Sequence, residues 1–285
     1  MKIAECIQVA AGHLENSGIA TARVDAEIIL QETLGFSRAG IYALYGEEIS
    51  PEITREYLEK IRLRGKRFPL QYITGAASFY GINLKVSPGV FIPRPETEIL
   101  VEKAFGLLSE MGRESVNVLD IGTGCGNIAV AIASMRKNAH VTAVDINPLA
   151  LKVARENIEN HRLVNRVRLI SSELFSGLRP GVDRFDMIIS NPPYIPERVI
   201  GTLEPEVRFF EPLEAINGGP DGTSIIRRIA ALSPDFLSED GFLLLEIDPS
   251  QTEMLSREIF SGWKVVNFYR DLAGKNRILV ASKPG

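Results

Sequence analysis

Two short stretches of this chain carry residues whose types and spacing can do chemistry. In the first, Val118-Leu119-Asp120-Ile121-Gly122-Thr123-Gly124-Cys125-Gly126, an apolar run ends in a glycine-rich turn, and the next such run ends in an acid, Ala143-Val144-Asp145. Glycine lets the backbone approach a ligand closely, because no Cβ intervenes. In a doubly wound sheet, an acid closing the next strand faces the crevice and can accept both hydroxyls of a ribose. A dinucleotide fingerprint would need G-x-G-x-x-G, whose third glycine opens the helix toward pyrophosphate. Here the spacing is G-x-G-x-G, and Asn127 stands where that third glycine belongs. The loop therefore suits a cofactor without phosphate, such as an adenosyl amino acid; the competing reading is a glycine-rich turn with no ligand.

The second stretch is Asn191-Pro192-Pro193-Tyr194, directly after the apolar run Phe185–Ser190. Ligands bind at the carboxyl ends of parallel strands. Two prolines stiffen the backbone, so the Asn191 side-chain oxygen and the Pro192 carbonyl can both accept from one NH2 group. Tyr194 offers a flat face for a planar group. An amide or exocyclic amino nitrogen is a poor nucleophile because its lone pair is delocalised. Two acceptors would orient it and stabilise the positive charge that develops as it attacks a sulfonium methyl. The alternative is a rigid turn, since Asn-Pro commonly starts one.

The elements that must position these residues follow from periodicity. From about residue 99 strand-like and helix-like segments alternate: Val116–Ile121, Asn127–Met135, His140–Asp145, Pro148–Asn160, Val167–Ile170 and Phe185–Ser190. A helix is expected near Ser224–Leu237, a strand over Gly241–Ile247, a helix near Gln251–Phe260, and strands over Trp263–Phe268 and Arg277–Ala281. Alternation predicts an α/β, Rossmann-like domain with a mostly parallel sheet. The short link between the last two strands makes them antiparallel. Before it, Ile3, Ile7, Ala10 and Leu14, then Ala26, Leu30 and Leu34 after Thr21, recur at helical spacing. Ser50-Pro51-Glu52 reads as a cap opening a further helix through Leu63. These predict a small bundle of four or five helices. Between the two regions, residues 77–86 predict a hairpin turning at Gly81-Ile82-Asn83.

Composition narrows the field. Thirty-two basic against 36 acidic residues give a net charge of −4, which disfavours a protein that grips long nucleic acids. Two cysteines and three histidines at unrelated positions point to neither a disulfide framework nor a metal site, and to a reducing compartment. Neither a signal peptide nor a membrane span is legible, so the expected location is cytoplasmic. The run Lys60, Arg62, Arg64, Lys66, Arg67 reads as a solvated face, or else as a surface for RNA or an acidic protein.

Along almost its whole length the chain resembles the HemK/PrmC family, the peptide chain release factor glutamine methyltransferases. The resemblance is carried by Pro69–Gly75, Phe91-Ile-Pro-Arg-Pro-Glu-Thr-Glu98, Asp120–Gly126, Asn191–Tyr194, and Phe210–Ala215 with Gly218–Gly222. It implies a helical domain over 1–75 that recognises the release factor, a β-hairpin linker over 76–98 and a catalytic methyltransferase domain over 99–285. The implied reaction moves a methyl group from S-adenosyl-L-methionine to the side-chain amide nitrogen of the glutamine in a Gly-Gly-Gln motif, leaving S-adenosyl-L-homocysteine. By this likeness Gly122, Thr123, Gly124, Cys125, Gly126, Asp145 and Asn191 contact the cofactor. Asn191, Pro192, Pro193 and Tyr194 hold the glutamine, with Asn191, Pro192 and Tyr194 catalytic. The expected partners are release factors, near the ribosome, with no membrane and no stable DNA binding.

Three positions depart from the pattern. Glu173 and Leu174 stand where the family often has Asp and an aromatic at the adenine edge; Glu173 would reach the adenine amino group and Leu174 would supply apolar contact. Asp248 stands where glycine is frequent. Arg94 reads equally as part of a stiff linker or of the site. The competing enzyme is a nucleic-acid amino-group (adenine N6) methyltransferase, which would flip its base and carry a basic recognition domain. Residues 1–75 hold 9 basic and 10 acidic residues.

Overall fold

Residues 1–283 are described by a computed structural model. The chain divides into two compact units: Met1–Ala76 with Glu204–Phe210, and Ala77–Leu203 with Glu211 onward.

The first unit contains α1 (Ile3–Asn16), α2 (Ala22–Leu34), α3 (Arg38–Ala43), α4 (Pro51–Gly65) and α5 (Leu70–Thr74). Ile3, Ile7, Ala10 and Leu14 are buried on one face of α1, and meet Ala26, Ile29 and Leu30 of α2 and Tyr57 and Ile61 of α4. The buried Tyr57 hydroxyl is satisfied by donating to the Ala26 carbonyl at 3.1 Å. Ser50 Oγ accepts from the Ile53 N–H at 3.3 Å, so α4 starts at its expected cap. Thr21 precedes α2, but its side chain makes no cap bond.

The basic run in and after α4 is divided: Arg62 and Lys66 are exposed, whereas Lys60, Arg64 and Arg67 are paired. Arg64 is buried, donating from Nε to Asp25 Oδ2 at 2.7 Å and from Nη1 to Glu206 Oε1 at 2.9 Å. Arg67 donates to Glu204 and Glu206, each at 2.9 Å, and Lys60 pairs with Glu32 and Glu56. Phe68 packs edge-on against Phe210 at 5.1 Å. These contacts bind the short helix Pro205–Phe210 into the helical unit, although about 140 residues of sequence separate the partners.

In the second unit, β1 (Ala76–Phe79) and β2 (Ile82–Lys85) form the hairpin. Its turn is Tyr80-Gly81, with φ of 50° and 72°, the positive pair that a two-residue type I′ turn requires. Ile82 and Asn83, expected in the turn, are therefore strand residues, and the turn sits one position earlier. The hairpin is not a free linker. Asn157 Oδ1 accepts from the Lys85 N–H at 2.7 Å, while Nδ2 donates to the Lys85 and Cys125 carbonyls at 2.9 and 2.8 Å.

Then follow α6 (Pro95–Glu110), β3 (Val116–Ile121), α7 (Asn127–Met135), β4 (Ala139–Asp145), α8 (Pro148–Asn160), β5 (Val167–Ser171), β6 (Phe185–Ser190), β7 (Leu237–Glu246), β8 (Val265–Arg270) and β9 (Asn276–Ser282). The seven-stranded sheet runs β5-β4-β3-β6-β7-β9-β8. Strands β3 to β7 pair in parallel, and β9 runs antiparallel to both β7 and β8, so the expected Rossmann-like architecture is the one observed. The order reverses between β3 and β6, which is the switch point where such sheets bind ligands.

Two expected helices are cut short. The helix Ser224–Leu232 stops before Ser233-Pro234, because proline offers no N–H, and Leu237 already pairs with Phe185 in the sheet. Residues 249–259 break into single turns of 3-10, α and π helix. Among the described residues no helix is long and apolar enough to cross a membrane.

Replacing Asp25 by Ala strands the Arg64 charge inside the helical unit. Because Glu206 remains, the expected cost sits at the low end for a broken buried pair, about 3 kcal/mol, read as a lowered denaturant midpoint for the helical unit.

Candidate active site

Register places the two chemical stretches side by side. Ile121 of β3 pairs with Ser190 of β6, and with Val144 of β4. The residues that follow, Gly122 and Asn191, therefore emerge at the same edge of the sheet, next to Asp145. Gly122, Thr123, Gly124, Asp145, Glu173, Leu174, Asn191, Pro192 and Pro193 all line one cavity of about 280 Å³.

The loop glycines have distinct tasks. Gly122 and Gly124 have φ of 70° and 56°, and a Cβ on either would meet nothing within 4 Å. They are needed for their left-handed backbone, and the space beside them is open. Gly126, with φ 84°, faces the other way: a Cβ there would lie 3.3 Å from Ala154 Cβ. It lets α7 pack against α8 and does not line the cavity. Cys125 is also off the wall, fully buried, with its thiol pushed up to about 12 by burial and its carbonyl taken by Asn157. At Cys125 and Gly126 only the backbone is left to face the loop, since the Cys125 thiol and the Cβ position of Gly126 turn into the protein.

Asp145 is held as an acceptor. Its Oδ2 receives the Gly124 N–H and its Oδ1 the Asn147 N–H, each at 2.8 Å. Burial raises its pKa against these backbone bonds. Each carboxylate oxygen still has a lone pair to offer. Behind the loop, fully buried Asp120 accepts from Thr123 Oγ1 at 2.6 Å, and burial pushes its carboxyl up to about 7. Leu174 has φ 52°, a left-handed conformation disfavoured for leucine. Ser172 pins that turn by donating to the Leu174 carbonyl at 2.9 Å and accepting the Gly177 N–H at 2.8 Å. Glu173 pairs with Arg228, another wall residue, at 2.6 Å.

Around Asn191 a chain of hydrogen bonds leads inward. Asn191 Nδ2 donates to Thr97 Oγ1 at 2.9 Å, and Thr97 donates to Glu246 Oε2 at 2.7 Å. Tyr194 donates its hydroxyl to Glu246 Oε1 at 3.0 Å. Thr97 and Glu246 are fully buried, and burial pushes the Glu246 carboxyl up to about 6. Burial, and then the Glu246 charge, raise the Tyr194 phenol, which stays a donor. Tyr194 is half-buried and packs against the core cluster of the sheet, with its hydroxyl anchored on Glu246. Among the described residues no donor reaches Asn191 Oδ1 or the Pro192 carbonyl.

Comparison with known proteins bears on this geometry. The PrmC N-terminal domain model matches residues 5–75, and the methyltransferase small domain model matches residues 84–203. A release factor glutamine methyltransferase of Rhodopirellula baltica is 42% identical over 93% of this chain and 91% of its own length. One from Koribacter versatilis is 38% identical over 100% of this chain and 99% of its own. The chain belongs to the release factor glutamine methyltransferase family. A solved methyltransferase of Pyrococcus furiosus, 21% identical with a TM-score of 0.53 over 73% of this chain and 92% of that one, shares the fold.

Other segments that mark this methyltransferase as a family member hold the Asn191–Tyr194 loop in place. A Cβ on Gly222, whose φ is 80°, would overlap the Tyr194 carbonyl oxygen. Residues 195–197 exchange backbone bonds with 216–219. Gln251 Nε2 donates to the Tyr194 and Gly222 carbonyls at 2.9 and 3.0 Å, while its Oε1 accepts the Asp248 N–H at 3.1 Å. Asp248 caps the turn that presents Gln251, which is what an acid does at this position. Arg94 is neither free linker nor cavity wall: it pairs with buried Glu211 and lies over the Phe91 ring, which does line the cavity.

Gly222→Ala is expected to displace the Tyr194 backbone and cut methyl transfer by about a hundredfold, since displacements near 1 Å cost that much. Circular dichroism should show the fold retained, and steady-state kinetics should show the loss in kcat.

Proposed function

We propose that this protein transfers a methyl group from S-adenosylmethionine to the side-chain nitrogen of the glutamine in the Gly-Gly-Gln motif of peptide chain release factors. The observation that carries this reading is the free acceptor pair, Asn191 Oδ1 and the Pro192 carbonyl, on the wall of the cavity that Asp145 and the glycine loop share. S-adenosylmethionine supplies an electrophilic methyl group on a positively charged sulfur. Gly122, Thr123 and Gly124 would hold it through their backbone, Asp145 through the ribose hydroxyls, and Glu173 and Leu174 at the adenine edge. Asn191 and Pro192 would accept the two N–H bonds of a carboxamide, fixing its nitrogen and stabilising the charge that develops on it. Because that stabilisation grows during transfer, the acceptors need no base ahead of the methyl step.

Discrimination of one glutamine in one protein needs contacts away from the reacting amide, and such binding energy can serve orientation as well as affinity. The helical unit, with no catalytic cluster of its own, is the part we assign to release-factor recognition, in the cytoplasm where these factors act. A nucleic-acid amino group is the second substrate class that these acceptors would suit. It is disfavoured because the basic side chains Lys60, Arg64 and Arg67 are paired within the helical unit.

Labelled methyl transfer to purified release factor, with DNA carrying adenine as the control, tests the assignment: label in the factor alone supports it, and label in DNA alone overturns it. A short Gly-Gly-Gln peptide should have a far lower kcat/KM than the intact factor. Asn191→Ala is expected to lower kcat by about 10²–10³ in the same assay. Asp145→Ala should weaken S-adenosylhomocysteine binding, measured by calorimetry, roughly ten- to a hundredfold.

A further inference from the structure

The side-chain amide of Asn191 can help a methyl acceptor in only one of its two orientations. With Oδ1 toward the acceptor it accepts an N–H; flipped, it presents Nδ2, a donor that repels the same N–H. The two orientations have nearly the same shape, so packing alone does not choose between them. Hydrogen bonding does. Thr97 Oγ1 has one proton, and Glu246 Oε2, 2.7 Å away, takes it. An ionised carboxylate cannot donate, so Thr97 can face Asn191 only as an acceptor, and only Nδ2 satisfies it at 2.9 Å.

We propose that Glu246 is a positioning residue: acting through Thr97, it turns Asn191 Oδ1 toward the methyl-accepting nitrogen, while its other oxygen anchors the Tyr194 hydroxyl. This rests on the reading of Asn191 as an acceptor for the substrate amide. Glu246 closes β7, Thr97 lies in the first turn of α6, and Asn191 follows β6. Three elements therefore converge on one buried carboxylate. The charges that bear on it are Glu96 of α6, which disfavours its ionised form, and Arg277 of β9, which favours it.

Protonation reverses the logic. A carboxylic acid at 246 can donate to Thr97, freeing the Thr97 proton to donate to Asn191 Oδ1 and letting the amide flip. Because burial holds this carboxyl up to about 6, falling pH should remove the acceptor as it passes that value, and rising pH should restore it. Glu246→Gln should behave similarly at every pH, since one amide cannot accept from both Thr97 and Tyr194 through separate oxygens.

The test combines spectroscopy and kinetics on the full-length chain. In protein labelled with 15N-asparagine, the Asn191 side-chain NH2 pair, identified by its loss in Asn191→Asp, should titrate with a midpoint near that of Glu246. It should cease to titrate in Glu246→Gln and shift strongly in Thr97→Val. In the release-factor assay, Glu246→Gln and Thr97→Val should lower kcat by about tenfold to a hundredfold, with S-adenosylhomocysteine affinity within about twofold of the parent. The acid limb of the kcat profile should disappear in Glu246→Gln, and Thr97→Ser, which keeps the hydroxyl, should recover most of the rate. An Asn191 pair indifferent to pH and to Thr97→Val, or a Glu246→Gln enzyme with parental kcat, would overturn the proposal. If the parent protein did not methylate release factor while its Asn191 pair titrated as described, the substrate assignment would fail and the positioning role would stand.

Discussion

The site depends on a single parallel pairing, that of β3 with β6 in the register that sets Ile121 opposite Ser190. Side chains alternate along a strand, so a slip of one residue would send every inward side chain to the other face. Both strands are buried along almost their whole length, and a slip would break the bonds of the buried Asp186 to the Asn117 N–H and of Ser190 to the Ile121 carbonyl. The register thereby fixes where Gly122 stands relative to Asn191. Strand order reverses at this pair, so neither loop is covered by a crossover helix, and the gap between them is the cavity.

Polar burial is the second constraint. Asp120, Thr97 and Glu246 lie fully inside the unit, where an unpaired charge is costly. Most of this is offset by hydrogen bonds, to Thr123 for Asp120 and to Thr97 and Tyr194 for Glu246. Asp120 keeps one oxygen, Oδ1, without a protein partner. An apolar strand end would be the more stable choice at these positions. Carboxylates there make sense as devices for orienting Thr123 in one loop and Asn191 in the other, which is where a fold tolerates strain for function.

Much of this was legible in the residues. The βα alternation, the boundaries of α7 and α8 and the antiparallel last strand follow from local apolar periodicity and glycine placement, which act over a few residues. What escaped notice acts over long separations. Glu206 joins the helical unit through Arg64, and Glu246 reaches Thr97, across 142 and 149 residues. A signal for Glu246 existed: an acid closing the apolar run Phe242–Leu245 is the same pattern that singled out Asp145. The glycine-loop motif also does not say which way each side chain faces: the Cys125 thiol turns into the protein and Gly126 makes room for Ala154. For Tyr194 the sequence shows the ring but not the buried Glu246 that takes its hydroxyl proton.

In the proposed reaction the Asn191 and Pro192 acceptors hold the carboxamide nitrogen of a single glutamine. Tandem mass spectrometry of release factor incubated with this enzyme and S-adenosylmethionine locates the methyl group directly. A single methyl is expected on the side chain of the glutamine in the Gly-Gly-Gln motif, and none on that factor after incubation with Asn191→Ala for the same time. Methyl groups on lysine, arginine or backbone termini, with that glutamine unmodified, would contradict it.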